Sequence, residues 1–169
     1  MSGSIVSSSG AVSSSSGVGP ARRVLSYGSL REMLADLEAI TSGPVVGLGA
    51  WTPAQNIDHV RRLIRISHAG TDIKLALGYR MLGRLLKGRL LRTTFKPGLK
   101  TVDLFEPAAD VGLEKAMSAF REEVAIASQA GAMRHPSPLL GALSHEDWER
   151  LHCRHAELHF GYIVADPGR

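Results

Sequence analysis

The sequence predicts an all-α fold, a four-helix bundle with an elaborated connection between its second and third helices, and three observations lead there. Several long stretches carry apolar residues at three- and four-residue spacing, N-cap signals stand at their starts, and no stretch shows the strict alternation of a half-buried strand. With 169 residues and 44% hydrophobic content, the chain is the size of one domain that can bury a core without disulfides.

Residues 1–21 open as MSGSIVSSSGAVSSSSGVGP, a serine- and glycine-rich composition that cannot offset the entropy of ordering its backbone, so they read as a disordered tail. The folded domain is then 22–169. A first helix follows from Leu30, Met33, Leu34, Leu37 and Ile40, with Ser29 and Glu32 at capping-box spacing and Gly43-Pro44 as its stop. Thr52-Pro53-x-Gln55 opens the second with an N-cap, a proline in the first turn and another box spacing; Ile57, Val60, Leu63, Ile64 and Ile66 carry it to about Gly70. In residues 71–108 leucines mix with Gly78, Gly83 and Gly88 before Pro97, Gly98 and Pro107, and a short helix over 79–90 is the most this allows. The third long helix occupies about 109–129, with Leu113, Ala116, Met117, Phe120, Val124 and Ala127 on one face. Ser144-x-x-Asp147 starts the fourth, expected to reach about Val164.

Composition excludes several classes. The single cysteine, Cys153, rules out an internal disulfide or a thiolate-rich cluster, so a metal site here must use nitrogen and oxygen ligands. A net charge of +4 favours anionic partners, but 5% aromatic content offers few stacking platforms, and no nucleic-acid partner is predicted. No apolar run approaches the roughly 18–20 residues a spanning helix needs, and the first residues lack a basic start with an apolar centre. The expectation is a soluble, cytoplasmic protein with no membrane association; a homodimer is left open.

The fourth helix carries HCRHAELHF, residues 152–160. At roughly 100° per residue, Trp148, His152, His155, His159 and Tyr162 share one stripe, flanked by Leu151 and Leu158, so the histidines stand where core residues belong. His155 and His159 lie one turn and about 40° apart, close enough for two imidazoles to reach one metal ion. Glu157, about 160–200° around the helix, cannot be the general base of an H-E-x-x-H peptidase motif, and Cys153 also points away. A third ligand must come from another helix, and His59 on the second helix is the candidate, sharing a face with Gln55, Leu63 and Ile66. His68, about 180° from it, is expected to be exposed. Nothing in their spacing recommends His135 or His145. For the three histidines the competing account is a buried polar network satisfied by carbonyls and water.

Other side chains have plainer readings. His152 fits a core residue, or one behind the ligands, better than a fourth ligand. Trp51 and Trp148 are packing residues, Trp148 also being placed to wall a pocket above His152. Gln55 completes the cap with Thr52, and Tyr162 packs on the seam.

Three segments then resemble one family. Trp51 to His59 (WTPAQNIDH), His135 to Trp148 (HPSPLLGALSHEDW) and His155 to His159 (HAELH) are together similar to a branch of the DinB/YfiT-like superfamily without an assigned reaction. The resemblance spans about residues 22–164. It implies a four-helix bundle that often holds a metal through three histidines, and by position His59, His155 and His159 match those ligands. Some relatives in that superfamily are thiol-dependent transferases or isomerases.

The function expected is that of a metal-dependent enzyme, a transferase or hydrolase. A divalent ion, zinc or nickel by ligand type, would be held by His59, His155 and His159 with an open position, activating water or a low-molecular-weight thiol toward a small-molecule substrate. No catalytic base stands out. The alternative is a metal- or small-molecule-binding bundle without turnover. Between Lys74 and Lys100 there are eight basic residues and no acidic one, a solvated surface or else a lure for an anionic substrate.

Overall fold

The structure is a computed structural model that describes residues 21–93, 95 and 106–168. The expected tail lies outside the described residues except for Ala21, as do Lys96 and Lys100 of the basic segment.

Among the described residues the protein is mostly helical, with five helices and a two-stranded sheet. α1 (Leu30–Thr41) starts at Ser29, whose Oγ accepts from Glu32 N at 3.2 Å. The Glu32 carboxylate returns to Gly28 N at 2.7 Å, one residue beyond the position a capping box requires, and Leu30 N donates to Glu149 of the last helix at 3.0 Å. α2 (Pro53–Ala69) has the complete box: Thr52 Oγ1 accepts from Gln55 N, and Gln55 Oε1 accepts from Thr52 N. Gln55 is therefore the cap that its spacing predicts. α3 (Leu77–Leu90) follows, then α4 (Leu113–Ala127) and α5 (His145–Phe160), the last begun by Ser144, whose Oγ accepts from Asp147 N at 3.1 Å.

The core forms where α2 packs against α4 and α5 and where α1 packs against α4 and α5. Met33 and Leu37 of α1, Ile57 and Ile64 of α2, Phe120 of α4 and Phe160 of α5 are fully buried. The Phe120 and Phe160 rings meet edge-on, with centroids 5.5 Å apart. At about 25 cal/mol per Å² of apolar surface, such side chains supply most of the stabilisation.

Three expectations are corrected. The fold is not purely helical, because β1 (Val45–Gly47) and β2 (Ile163–Ala165) pair antiparallel, with Val46 opposite Val164. Three-residue strands are too short to print a period of two, and their pairing joins segments more than a hundred residues apart. Consequently the last helix stops at Phe160 and does not reach Val164. Its end is fixed by the segment before α1: Arg23 N donates to Gly161 O at 2.9 Å, and a Cβ on Gly161 would meet Arg23 O at 2.9 Å. α4 begins at Leu113, later than the apolar pattern alone indicates, with Gly112 as its N-cap.

α5 has no exposed residue from Leu151 to Phe160. The α2 and α1 sides cover part of it, and residues 22–28 strap another. Tyr27 N donates to Glu157 Oε1 at 2.8 Å, and an Arg22 guanidinium nitrogen donates to Leu158 O at 3.0 Å. α3, in contrast, exposes Leu77, Tyr79, Met81, Leu82 and Leu85, while Gly83 is buried against the turn near Leu139. No helix among the described residues is long and apolar enough to cross a membrane.

Candidate metal centre

His59 comes from the middle of α2, and His155 and His159 come from the last two turns of α5. The packing of these helices brings the three rings together. Their centroids are 4.4 Å (His59–His159), 4.6 Å (His155–His159) and 4.9 Å (His59–His155) apart. His59 Nε2 and His155 Nε2 are 3.1 Å apart, and one nitrogen from each ring can be chosen so that all three lie within 4.8 Å of one another. The group could therefore hold a metal ion.

Burial keeps His155 and His159 neutral. It is the first cause that holds His155 far below the ordinary histidine value, with the neighbouring charges of His159, His59 and His152 acting the same way. His159 is lowered to about 3, by burial and then by His59 and Arg22. A neutral imidazole presents a lone pair, the form in which histidine binds a metal.

Two side chains outside the predicted set orient the rings. Asn56 Nδ2 donates to Trp51 O at 3.3 Å and Thr52 O at 3.1 Å, which leaves its Oδ1 to accept from His159 Nδ1 at 3.3 Å. His159 then carries its proton on Nδ1 and turns Nε2 to the cluster. The Trp51 ring stacks on His159 at 5.6 Å and lies 4.8 Å from His59. Gly47 permits this, since a Cβ there would meet Trp51 O at 2.4 Å. Trp51 is thus more than helix-start packing: with Gly49, Ala50, Asn56, His159 and Tyr162 it lines a shallow pocket of about 240 Å³ beside the rings. Phe95 lies edge-on to His155 at 5.9 Å. Asn56, three residues before His59 on one face of α2, could have been found from spacing. Trp51 precedes the helix and Phe95 lies in a segment without periodicity, so helical spacing marked neither.

The acids closest in sequence are committed elsewhere. Asp58 accepts from Arg61 and Arg62 at 2.8–2.9 Å. Burial would raise its pKa, but the hydrogen bonds from Arg62 and Arg61 outweigh that and hold it below the ordinary value. Glu157 is buried on the opposite side of α5, paired with Arg154 at 2.8 Å. Cys153 is buried, and burial pushes its thiol up to about 12, an unreactive state. Both residues face away from the cluster, as their helical angles predict.

Residues 20–166 match the family described as protein of unknown function (DUF1569). The chain belongs to the DUF1569 family. No curated protein and no solved structure matches it.

The remaining histidines of this DUF1569 chain lie outside the cluster. His152 is fully buried against Trp148, with rings 5.1 Å apart and 17° from parallel, and neither ring nitrogen has a hydrogen-bond partner among the described residues. It is a core residue, lowered to about 3 by burial and then by His68. His68 corrects the expectation of exposure: its Nε2 is 2.5 Å from Glu123 Oε2, and its side chain is 10% exposed. The residue opposite His59 on α2 meets α4 instead of solvent. His135 holds the α2 end and α5 together through its backbone, donating to Ser67 O at 3.1 Å and accepting from Trp148 Nε1 at 2.9 Å. Tyr162 lies past the end of α5, with the Arg22 guanidinium 4.7 Å over its ring.

Proposed function

We propose that His59, His155 and His159 bind a divalent metal ion with an open coordination position, and that the protein is a metal-dependent transferase or hydrolase of the DinB-like superfamily. The convergence of three imidazoles from two helices, with no carboxylate or thiol among them, carries this reading. An all-nitrogen set suits zinc or nickel. Such an ion lowers the pKa of a bound water or low-molecular-weight thiol and so supplies a nucleophile at neutral pH. The chain's own part is to fix the rings: Asn56 sets the His159 tautomer, and Trp51 packs over two of the three imidazoles.

The cost to the fold supports the same reading. Among the described residues His155 Nδ1 is buried without a partner, and its Nε2 faces His59 Nε2 at 3.1 Å. An unsatisfied buried polar atom costs about 1–3 kcal/mol, so stability alone does not account for this arrangement. The placement of α1, α2, α4 and α5 around one core is compatible with the DinB-like four-helix bundle, with α3 in the connection. A second reading, metal or small-molecule binding without turnover, is favoured by the lack of a carboxylate in the cluster.

Metal analysis of untagged protein purified without chelators tests the site. Near-stoichiometric zinc or nickel, lost in His155→Ala, is expected; sub-stoichiometric metal indifferent to the substitution would overturn it. Catalysis divides from binding on metal-dependent turnover across thiol-transfer and hydrolytic substrates, and none in such a screen would leave the second reading.

A further inference from the structure

A larger cavity lies elsewhere, between the first half of α3 and the turn at residues 136–142. That turn is closed by paired backbone hydrogen bonds between Ser137 and Gly141, at 2.8 and 2.9 Å. α3 is seated on it at two glycines: a Cβ on Gly83 would meet Leu139 O at 2.4 Å, and one on Gly141, where φ is +75°, would meet Arg84 Nε at 3.2 Å. Lys87 ties the next turn of α3 down, donating to Ala142 O at 3.0 Å and pairing with Asp147 at 3.2 Å. Above this seat opens a pocket of about 470 Å³ that shares no lining residue with the pocket beside the histidines.

Three of its lining side chains are cations, Lys74, Arg80 and Arg84, and none of its twelve lining residues is acidic. Their state differs from that of seven other arginines. Arg23, Arg61, Arg62, Arg65, Arg121, Arg150 and Arg154 each pair with a carboxylate. Lys74, Arg80 and Arg84 have no such pairing in the described structure, although Arg80 and Arg84 stand one helical turn apart and face the same space. The hydroxyls agree with the cations: Thr71 Oγ1 already accepts from Ile73 N at 3.2 Å and Ser137 Oγ from Leu140 N at 3.1 Å, which leaves both protons to donate. Every polar side chain in the lining is therefore a donor looking for an acceptor. Ile73, Leu75, Pro136 and Leu139 supply apolar walls.

We propose that this pocket is a binding site for a phosphate ester, its phosphate group held by the Arg80 and Arg84 guanidiniums and Lys74. Two guanidinium forks match phosphate oxygens bidentately, and three positive charges suit a dianion. The volume falls within the roughly 300–1,000 Å³ of small-molecule sites and exceeds what a bare phosphate fills. The site stands independently of the metal cluster. The ester is either a soluble metabolite or the headgroup of a lipid, and the same chemistry serves both.

The test uses the full chain with two probes: pyrophosphate in a calorimetric or NMR titration, and phosphatidylcholine vesicles with and without phosphatidic acid in a flotation assay. Binding to pyrophosphate identifies a soluble phosphate compound as the ligand class, and binding confined to the acidic vesicles identifies a lipid headgroup. In either case Arg80→Gln/Arg84→Gln should weaken it by about tenfold or more, as expected for the loss of charge-assisted hydrogen bonds, and Arg84→Lys should weaken it less. Arg31→Gln, which removes an exposed arginine from α1, should change nothing. Lys74→Gln, outside the helix, guards against a folding defect in the double variant and should also weaken binding. No binding to either probe would overturn the proposal. So would binding that survives the arginine and lysine substitutions, or that is lost in His155→Ala alone, which would place the anion at the histidines.

Discussion

α2 separates two polar clusters of opposite design. On one side His59 meets His155 and His159, three bases with no acid among them. On the other, Asp58 and Glu123 are buried among Arg61, Arg62, Arg65 and His68, and each carboxylate oxygen has a donor. The second cluster is electrostatically closed, since its members satisfy one another. The first is open: its ring nitrogens converge with no acid among them. A closed network fastens α2 to α4, whereas an open one is the form a ligand site takes.

Acid should separate the two most strongly. His152, His155 and His159 are held neutral below the ordinary value of 6.5, so the unfolded chain binds more protons than the folded one beneath that pH. Stability is then full above about pH 6.5 and falls as pH is lowered towards about 3. Asp58, lowered from 3.8, holds its contribution until the pH drops below that value, so urea midpoints between pH 7 and 4 isolate the histidines. A flat profile over that range would contradict their neutral burial.

Glu123→Ala comes next. Removing one partner of a buried pair should cost about 3 kcal/mol, with little of it from Arg65, which is 61% exposed. Metal content should be unaffected, and a parallel loss of metal would mean that the two clusters are not separate. Asn56→Ala should act the other way, reducing metal affinity by about tenfold through the lost His159 hydrogen bond while the Asp58 and Glu123 pairs persist. An unchanged affinity would remove Asn56 from the site. The smallest effect is expected at Arg150→Ala, an exposed pair with Glu146, worth under about 0.5 kcal/mol in thermal or urea unfolding.

Legibility followed the range of the forces involved. Ser29, Thr52 and Ser144 cap the helices their spacing announces, because a cap is satisfied within three residues. The angular separation of His155 and His159 from Glu157 and Cys153 was likewise readable, being fixed by helical geometry alone. His68 was misread for the complementary reason. Its position opposite His59 was correct, but exposure depends on what packs there, and α4 brings Glu123 to it. α3 was read as a helix from local pattern, yet nothing local revealed that its leucines would stay exposed while Arg80 and Arg84 line a pocket.

By itself, the sequence determined where most helices start, which faces are apolar, and that two histidines of the last helix share a side. These depend on contacts within a few residues. Only the tertiary structure decided that His59 reaches them, that Trp51 and Asn56 stand against the rings, and that β1 closes on β2. Those contacts join residues about a hundred positions apart, and their geometry is set by how whole helices pack, which no local period encodes.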